Sequence, residues 1–179
     1  MNTELINNNF VVLKNFISAN EAKELADQFA QDAVLKNFTG DSQSPKSYTR
    51  YNYRHFLYLL CAKTEEVSKI YAGKLLPTYS YARIYLEGGT LEPHLDRESC
   101  EVSITLCIHK DINWPIHIKK PDGAIASIEL EPGDAAMYRG CIAEHWRDIY
   151  TGSKHIQVFL HYVDLEGKNI KHYFDKLVN

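Results

Sequence analysis

The chain has 179 residues, 45% hydrophobic and 24% charged, with 20 Lys and Arg against 23 Asp and Glu and a formal net charge of −3. A chain of this length buries enough apolar surface to hold one domain without a structural metal or disulfides, and its slight acidity disfavours sequence-independent binding to nucleic acid or anionic lipid. The four cysteines form no Cys-x-x-Cys pair, the first residues have neither a basic nor an apolar leader pattern, and no apolar run approaches the ~18 residues of a membrane span, so a cytoplasmic protein is expected.

Phe10 to Leu13 is a short apolar run. Ser18 and Glu21 form a capping box ahead of Ala22, Leu25, Ala26, Phe29 and Ala30, whose spacing predicts an amphipathic helix. A second helix is predicted from Thr64 to about Gly73, with Thr64 as its cap, Glu65 and Glu66 at the positive end of its dipole, and Val67, Ile70 and Tyr71 on its buried side. Between the two, Gly40 to Pro45 reads as an exposed loop leading into a half-buried strand rich in Tyr and Arg that runs toward Tyr58.

From residue 78 the apolar period changes from helical to two. Strands are predicted at Tyr79 to Leu86, Glu101 to His109, Pro115 to Ile118, Ala124 to Leu130, Ala135 to Arg139 and Lys154 to Val163, separated by Gly- and Pro-containing turns. Many short strands with close turns indicate a barrel or sandwich. The fold class is therefore α+β: one domain over 1–179, with helical support from about 1–77 packed on one outer face of a barrel from about 78–165.

His94-Leu-Asp96 places an imidazole and a carboxylate on one side of an extended segment, since residues i and i+2 point the same way. His145 follows 51 residues after His94, far enough for several strands to return it to the same place. Two His and one carboxylate on one face of a divalent ion leave adjacent positions open, the arrangement of non-haem Fe(II) oxygenases and unlike closed zinc sites. In the last strand Lys154 shares a face with Ile156, Val158, Leu160 and Tyr162. If that row faces into the barrel, the ammonium needs an anion, which a ligand carboxylate would supply with the Tyr85 hydroxyl beside it. The alternative is that Lys154, at the strand's first position, extends to solvent.

The stretch from Tyr85 through His94 and Asp96, then Leu130-Glu-Pro-Gly-Asp134, then His145 and Gly152-Ser-Lys154, resembles in order and spacing the 2-oxoglutarate- and Fe(II)-dependent oxygenases of the prolyl 4-hydroxylase-like type. Phe10 to Ser18 is similar to that family's lead into its first helix, and the resemblance spans about residues 9–163. It implies a double-stranded β-helix (jelly-roll) barrel, with iron held by His94, Asp96 and His145. It also implies that Lys154, nine positions after His145, binds the distal carboxylate of 2-oxoglutarate together with Tyr85. The implied cofactors are Fe(II), 2-oxoglutarate as co-substrate and O2, with ascorbate as a candidate reductant. The implied reaction is hydroxylation of a C–H bond with conversion of 2-oxoglutarate to succinate and CO2. The chain departs from many relatives at Asn113 to Ile118 and at Trp146-Arg147.

Arg83, on the same strand face as Tyr85, could meet substrate or co-substrate, or pair with an acid. Arg97, Trp146 and Arg147, with Tyr48, Arg50 and Tyr51 from the segment Gly40 to Tyr53, are the candidates for covering the barrel mouth, and that segment is expected to order on substrate binding. Such groups suit a peptide held by an aromatic clamp around a proline ring, or a small acidic metabolite held by an arginine; the resemblance tips the expectation toward a peptidyl-prolyl substrate. Two rival readings are a non-catalytic cupin-like barrel that binds a metal or ligand, and an RNA-stacking surface over Arg50 to Tyr58. Net charge counts against the second, and neither nucleic acid nor membrane is an expected partner.

Overall fold

The computed structural model describes residues 1–176. In chain order the elements are α1 (Thr3–Asn8), β1 (Phe10–Leu13), α2 (Ala19–Leu35), β2 (Ser47–Tyr51), α3 (Arg54–Tyr71), β3 (Leu75–Leu86), β4 (Leu91–His94), β5 (Val102–Lys110), β6 (Ile116–Lys119), β7 (Ile125–Ile128), β8 (Ala135–Tyr138), β9 (His145–Arg147) and β10 (Lys154–Asp164). One sheet has the order β1-β8-β5-β10-β3-β2 and the other β4-β9-β6-β7, every pairing antiparallel. The eight strands β3 to β10 divide four and four between the sheets, which makes a jelly-roll double-stranded β-helix; β1 and β2 extend the larger sheet at its two edges.

Helices α2 and α3 cover the outer face of the larger sheet, and this decides which way its strands turn. Ala82 and Ile84 of β3, Val102, Ile104, Leu106 and Ile108 of β5, and Ile156, Val158, Leu160 and Tyr162 of β10 all pack into one cluster with Ala22, Ala26 and Phe29 of α2 and Phe56, Leu60 and Val67 of α3. Burying each large apolar side chain stabilises the fold by about 1.5–3 kcal/mol, so the helix-to-sheet layer is the main core. The alternate residues, being on the opposite face, line the barrel: Tyr79, Tyr81, Arg83 and Tyr85 of β3, Ser103, Thr105 and Cys107 of β5, and His155, Gln157, Phe159 and His161 of β10. The apolar row headed by Lys154 therefore faces the helices. Lys154 sits within electrostatic reach of Asp27 on α2 and of His109, away from the barrel interior.

Two boundaries differ from the sequence reading. Helix α3 begins at Arg54, ten residues before Thr64, because Phe56, Leu59 and Leu60 continue the spacing of Val67 and Tyr71. Thr64 lies inside it, its hydroxyl donating to the Leu60 carbonyl at 2.9 Å, the local bond Thr makes when it cannot cap. The strand expected to run on to Tyr58 is confined to β2. Beyond it Tyr53 and Phe56 turn inward and meet the Phe29 ring, each with centroids 5.1 Å apart, so two of the aromatics an RNA-stacking reading needs are buried, while Tyr51 and Tyr58 stay exposed. Among the described residues no helix is long and apolar enough to cross a membrane.

The Glu131-Pro-Gly-Asp134 turn fastens the chain's first strand to the barrel. Buried Asp134 accepts from the Asn15 amide at 3.0 Å, the Glu131 amide at 3.2 Å and the Lys14 ammonium at 2.6 Å. Burial alone would raise its pKa, but these donors outweigh it and hold the carboxyl below its ordinary 3.8. Lys14 is mostly exposed, so the two amide bonds carry most of the effect. Asp134→Asn is expected to cost about 1–3 kcal/mol at neutral pH, read as a lower midpoint in urea. Since folding lowers this pKa, the stabilisation is complete above the unfolded value and fades as pH falls through the folded one. The gap between wild type and mutant should therefore close below about pH 4.

Candidate metal centre and its cavity

Strands β4 and β9 are neighbours in the smaller sheet, and their register pairs His94 directly with His145. The two imidazoles lie 4.3 Å apart between centroids. Each ring's Nδ1 is bonded at 2.8 Å to the backbone carbonyl two residues earlier, Glu92 for His94 and Ala143 for His145. A carbonyl only accepts, so both Nδ1 atoms carry a proton, which leaves Nε2 of each ring as the nitrogen able to ligate. Just past β4, the Asp96 amide donates to the Gly140 carbonyl at 2.9 Å. This sets Asp96 Oδ1 at 3.5 Å from His94 Nε2 and 3.6 Å from His145 Nε2. The other carboxylate oxygen, Oδ2, accepts from the Ser103 hydroxyl at 3.0 Å, and Ser103 in turn meets His161 Nδ1 at 2.9 Å. Gly140 is obligatory here: a Cβ would run into the Cys100 carbonyl and Asp96 Oδ2.

The electrostatics suit a cation. Burial raises the Asp96 pKa, but the imidazoles of His94, His145 and His161 more than compensate and hold it at about 2. Burial lowers the pKa of His145, favouring the neutral ring that a metal requires. The donor set is two neutral nitrogens and one anionic oxygen, the ligand atoms all within 4.8 Å of one another. Cis ligands at about 2.1 Å from a divalent ion lie about 3 Å apart, so small side-chain adjustments close this triad on one ion. It fits a facial triad and leaves half of an octahedral shell to other ligands.

The three ligands line one side of a cavity of about 230 Å³ whose other walls include Tyr51, Tyr79, Tyr81, Phe159, Arg83 and Arg97. Asp41 and Gln43 reach into it from the segment 40–46. Of the segment expected to cover the mouth, only these residues form a loop; Ser47–Tyr51 is strand β2, paired with β3.

The remaining sequence candidates separate clearly. Tyr85 is fully buried inside the barrel, its hydroxyl accepting from Arg83 at 3.1 Å. Arg97 lies at the rim, donating to the Tyr79 hydroxyl at 3.3 Å and 3.4 Å from Asp175. Trp146 points to the outer face of the smaller sheet and stacks on His117 at 5.3 Å, so it does not meet the cavity. Lys154 is on the helix side.

Arg147 is inside the barrel, on the same face of β9 as His145. It is only 2% exposed, donates to the Trp114 carbonyl, lies 4.9 Å over the Trp114 ring, and leaves Nε without a partner. Its ionisable neighbours are Tyr85, Cys107 and Tyr138, and burial pulls its pKa down. Among the described residues it forms no ion pair. A buried guanidinium without an anion is costly, so this is the place in the barrel that calls for one. The sequence suggests Arg147 as a mouth residue, but alternation along β9 from His145 places it inside the barrel, on the face that carries His145.

No protein-family profile matches the chain, and no curated protein matches it in sequence. Solved structures do match in three dimensions. A Pseudomonas putida prolyl-4-hydroxylase is 13% identical, with 90% of this chain and 95% of that one covered at a TM-score of 0.73. A Trichoplax adhaerens prolyl hydroxylase, in complex with a hypoxia inducible factor peptide fragment, is 12% identical over 98% of this chain and 90% of that one, TM-score 0.75. HygX from Streptomyces hygroscopicus, with nickel, 2-oxoglutarate and hygromycin B bound, is 10% identical over 90% of this chain and 85% of that one, TM-score 0.70. The chain thus has the double-stranded β-helix fold that is shared by prolyl 4-hydroxylases and other 2-oxoglutarate-dependent oxygenases.

Proposed function

We propose that the protein is an Fe(II)- and 2-oxoglutarate-dependent dioxygenase that hydroxylates a C–H bond of an organic substrate. The observation that carries this reading is the pairing of an open two-His, one-carboxylate triad with an unpaired buried guanidinium two residues along the same strand. Fe(II), 2-oxoglutarate and O2 supply the oxidising chemistry, with 2-oxoglutarate converted to succinate and CO2. His94, Asp96 and His145 hold the ion, and the Glu92 and Ala143 carbonyls fix the imidazoles in the ligating tautomer. Arg147 takes the distal carboxylate of 2-oxoglutarate. Residues i and i+2 on a strand are about 7 Å apart, the order of length of a five-carbon diacid chelated at one end. Tyr85 adds a hydroxyl on the same side. Lys154, given that role by the resemblance, is turned to the helices by the parity of β10.

The substrate enters through the wall formed by Asp41, Gln43 and the tyrosines. Peptidyl proline is one candidate, in keeping with the prolyl hydroxylases that share the fold; a small molecule is the other, in keeping with the hygromycin B complex. Succinate formation stimulated by proline-containing peptides or by small carboxylates separates the two.

Two outcomes are expected. Iron-loaded wild type forms succinate from 2-oxoglutarate under air, and His145→Ala, still folded by circular dichroism, does not. A folded, iron-loaded wild type that forms none supports the cupin-like binding barrel instead. Arg147→Gln should weaken 2-oxoglutarate binding to the Mn(II)-loaded protein by about 2–5 kcal/mol, while Lys154→Ala leaves it unchanged by calorimetry. The reverse result returns the role to Lys154.

A further inference from the structure

We infer that Arg83 is the receptor for a carboxylate on the molecule that is oxidised, and that Asp41 holds that receptor until the substrate's own carboxylate replaces it. The inference deepens the oxygenase reading and rests on it for the identity of the cavity.

Arg83 is 1% exposed and forms part of the cavity wall facing the metal ligands. Its Nη2 donates to Asp41 Oδ2 at 2.6 Å, to Gln43 Oε1 at 3.0 Å and to the Tyr81 hydroxyl at 3.1 Å, and its Nη1 to the Tyr85 hydroxyl at 3.1 Å. Tyr81 also donates to Asp41 Oδ2. Guanidinium and phenol together make a carboxylate receptor, and Asp41 shows one bound in it. The Arg83 Nε, buried and without a partner, shows that the chain's own groups do not saturate this cation.

Asp41 is an unusual partner for so buried a charge. It lies 42 residues away in sequence, on a segment without regular secondary structure, and its side chain is 35% exposed. Its other oxygen is held by the Ser44 amide of the same segment at 2.9 Å. The carboxylate can therefore leave to water without burying charge elsewhere. Losing it alone would strand a buried, unpaired guanidinium, which is strongly unfavourable. Exchanging it for an incoming carboxylate keeps the cation neutralised throughout. A neutral molecule cannot make that exchange, so the pair selects for charge as well as shape.

Arg147 has no such internal anion, and it lies two residues from His145 on the same face of β9. The barrel thus holds two buried guanidiniums, one for the co-substrate and one for the molecule oxidised. Tyr51 lies 4.6 Å from Tyr81 and 5.5 Å from Tyr79 between ring centroids, offering aromatic faces to the body of a small acid.

The test is calorimetric binding of benzoate and its neutral isostere benzamide to wild type and to Asp41→Asn, with and without Mn(II) and saturating 2-oxoglutarate. Removing the internal competitor should tighten benzoate at least tenfold and leave benzamide unchanged, with Asp41→Ala reproducing the gain and Arg83→Lys in the Asp41→Asn background abolishing it. Equal benzoate affinity in wild type and Asp41→Asn, or an equal gain for benzamide, overturns the inference and leaves Asp41–Arg83 a structural ion pair. Competition between 2-oxoglutarate and benzoate also overturns it, assigning Arg83 to the co-substrate. Because the readout is binding, a wild type that fails to form succinate refutes the oxygenase reading without deciding this one.

Discussion

Two helices laid on the larger sheet turn the apolar side of every central strand outward, and the barrel's character follows from that. Ile104, Leu106, Ile156, Val158 and Leu160 meet α2 and α3. With 3.6-residue helices supplying the apolar partner outside, the alternate strand positions are released from core duty and point inward as Ser103, Thr105, Arg83, His155, Gln157 and His161. A barrel of this size filled with apolar side chains alone would be solid; these polar groups, set among inward aromatics such as Tyr79, Tyr81 and Phe159, leave a cavity and the hydrogen bonds that orient the His94, Asp96 and His145 cluster.

Order within that cavity comes from the smaller sheet. A single cross-strand pair between β4 and β9 sets the two imidazoles side by side, and short carbonyl contacts along their own strands fix the tautomers. Asp96 completes the set because Gly140 lets the backbone close in on it. The same β9 strand carries Arg147 inward two residues on. In the proposed site one ligand, His145, and the proposed anion anchor, Arg147, are thus built on one strand, which fixes their separation more tightly than two loops could.

The clustering of His94, Asp96 and His145 is legible in the sequence because His94 and Asp96 are local, at the i and i+2 spacing, and because turn and strand patterns return His145 to them. The strands themselves are legible from their period of two. Which face of a strand looks inward is not: in β10 both faces are buried, so parity orders the residues without saying which row meets the helices, and this leaves the side taken by Lys154 open until the helices are seen. The N-terminal half of α3 is hidden by Arg54, Tyr58 and the tyrosines just before it, residues that suit a strand or a rim as well as a helix start. Asp41 gave no signal at all, since its partner Arg83 is 42 residues away and the contact is purely tertiary.

In the proposed oxygenase, three protein donors leave an open iron face on which a 2-oxo acid chelates. Anaerobic titration of the Fe(II)-loaded protein with 2-oxoglutarate, followed by visible absorption, tests it most directly. One Fe(II) per chain is expected, with a charge-transfer band that grows to saturation with one equivalent of 2-oxoglutarate. An iron-loaded protein that binds 2-oxoglutarate with no such band, or one that binds none, would contradict it.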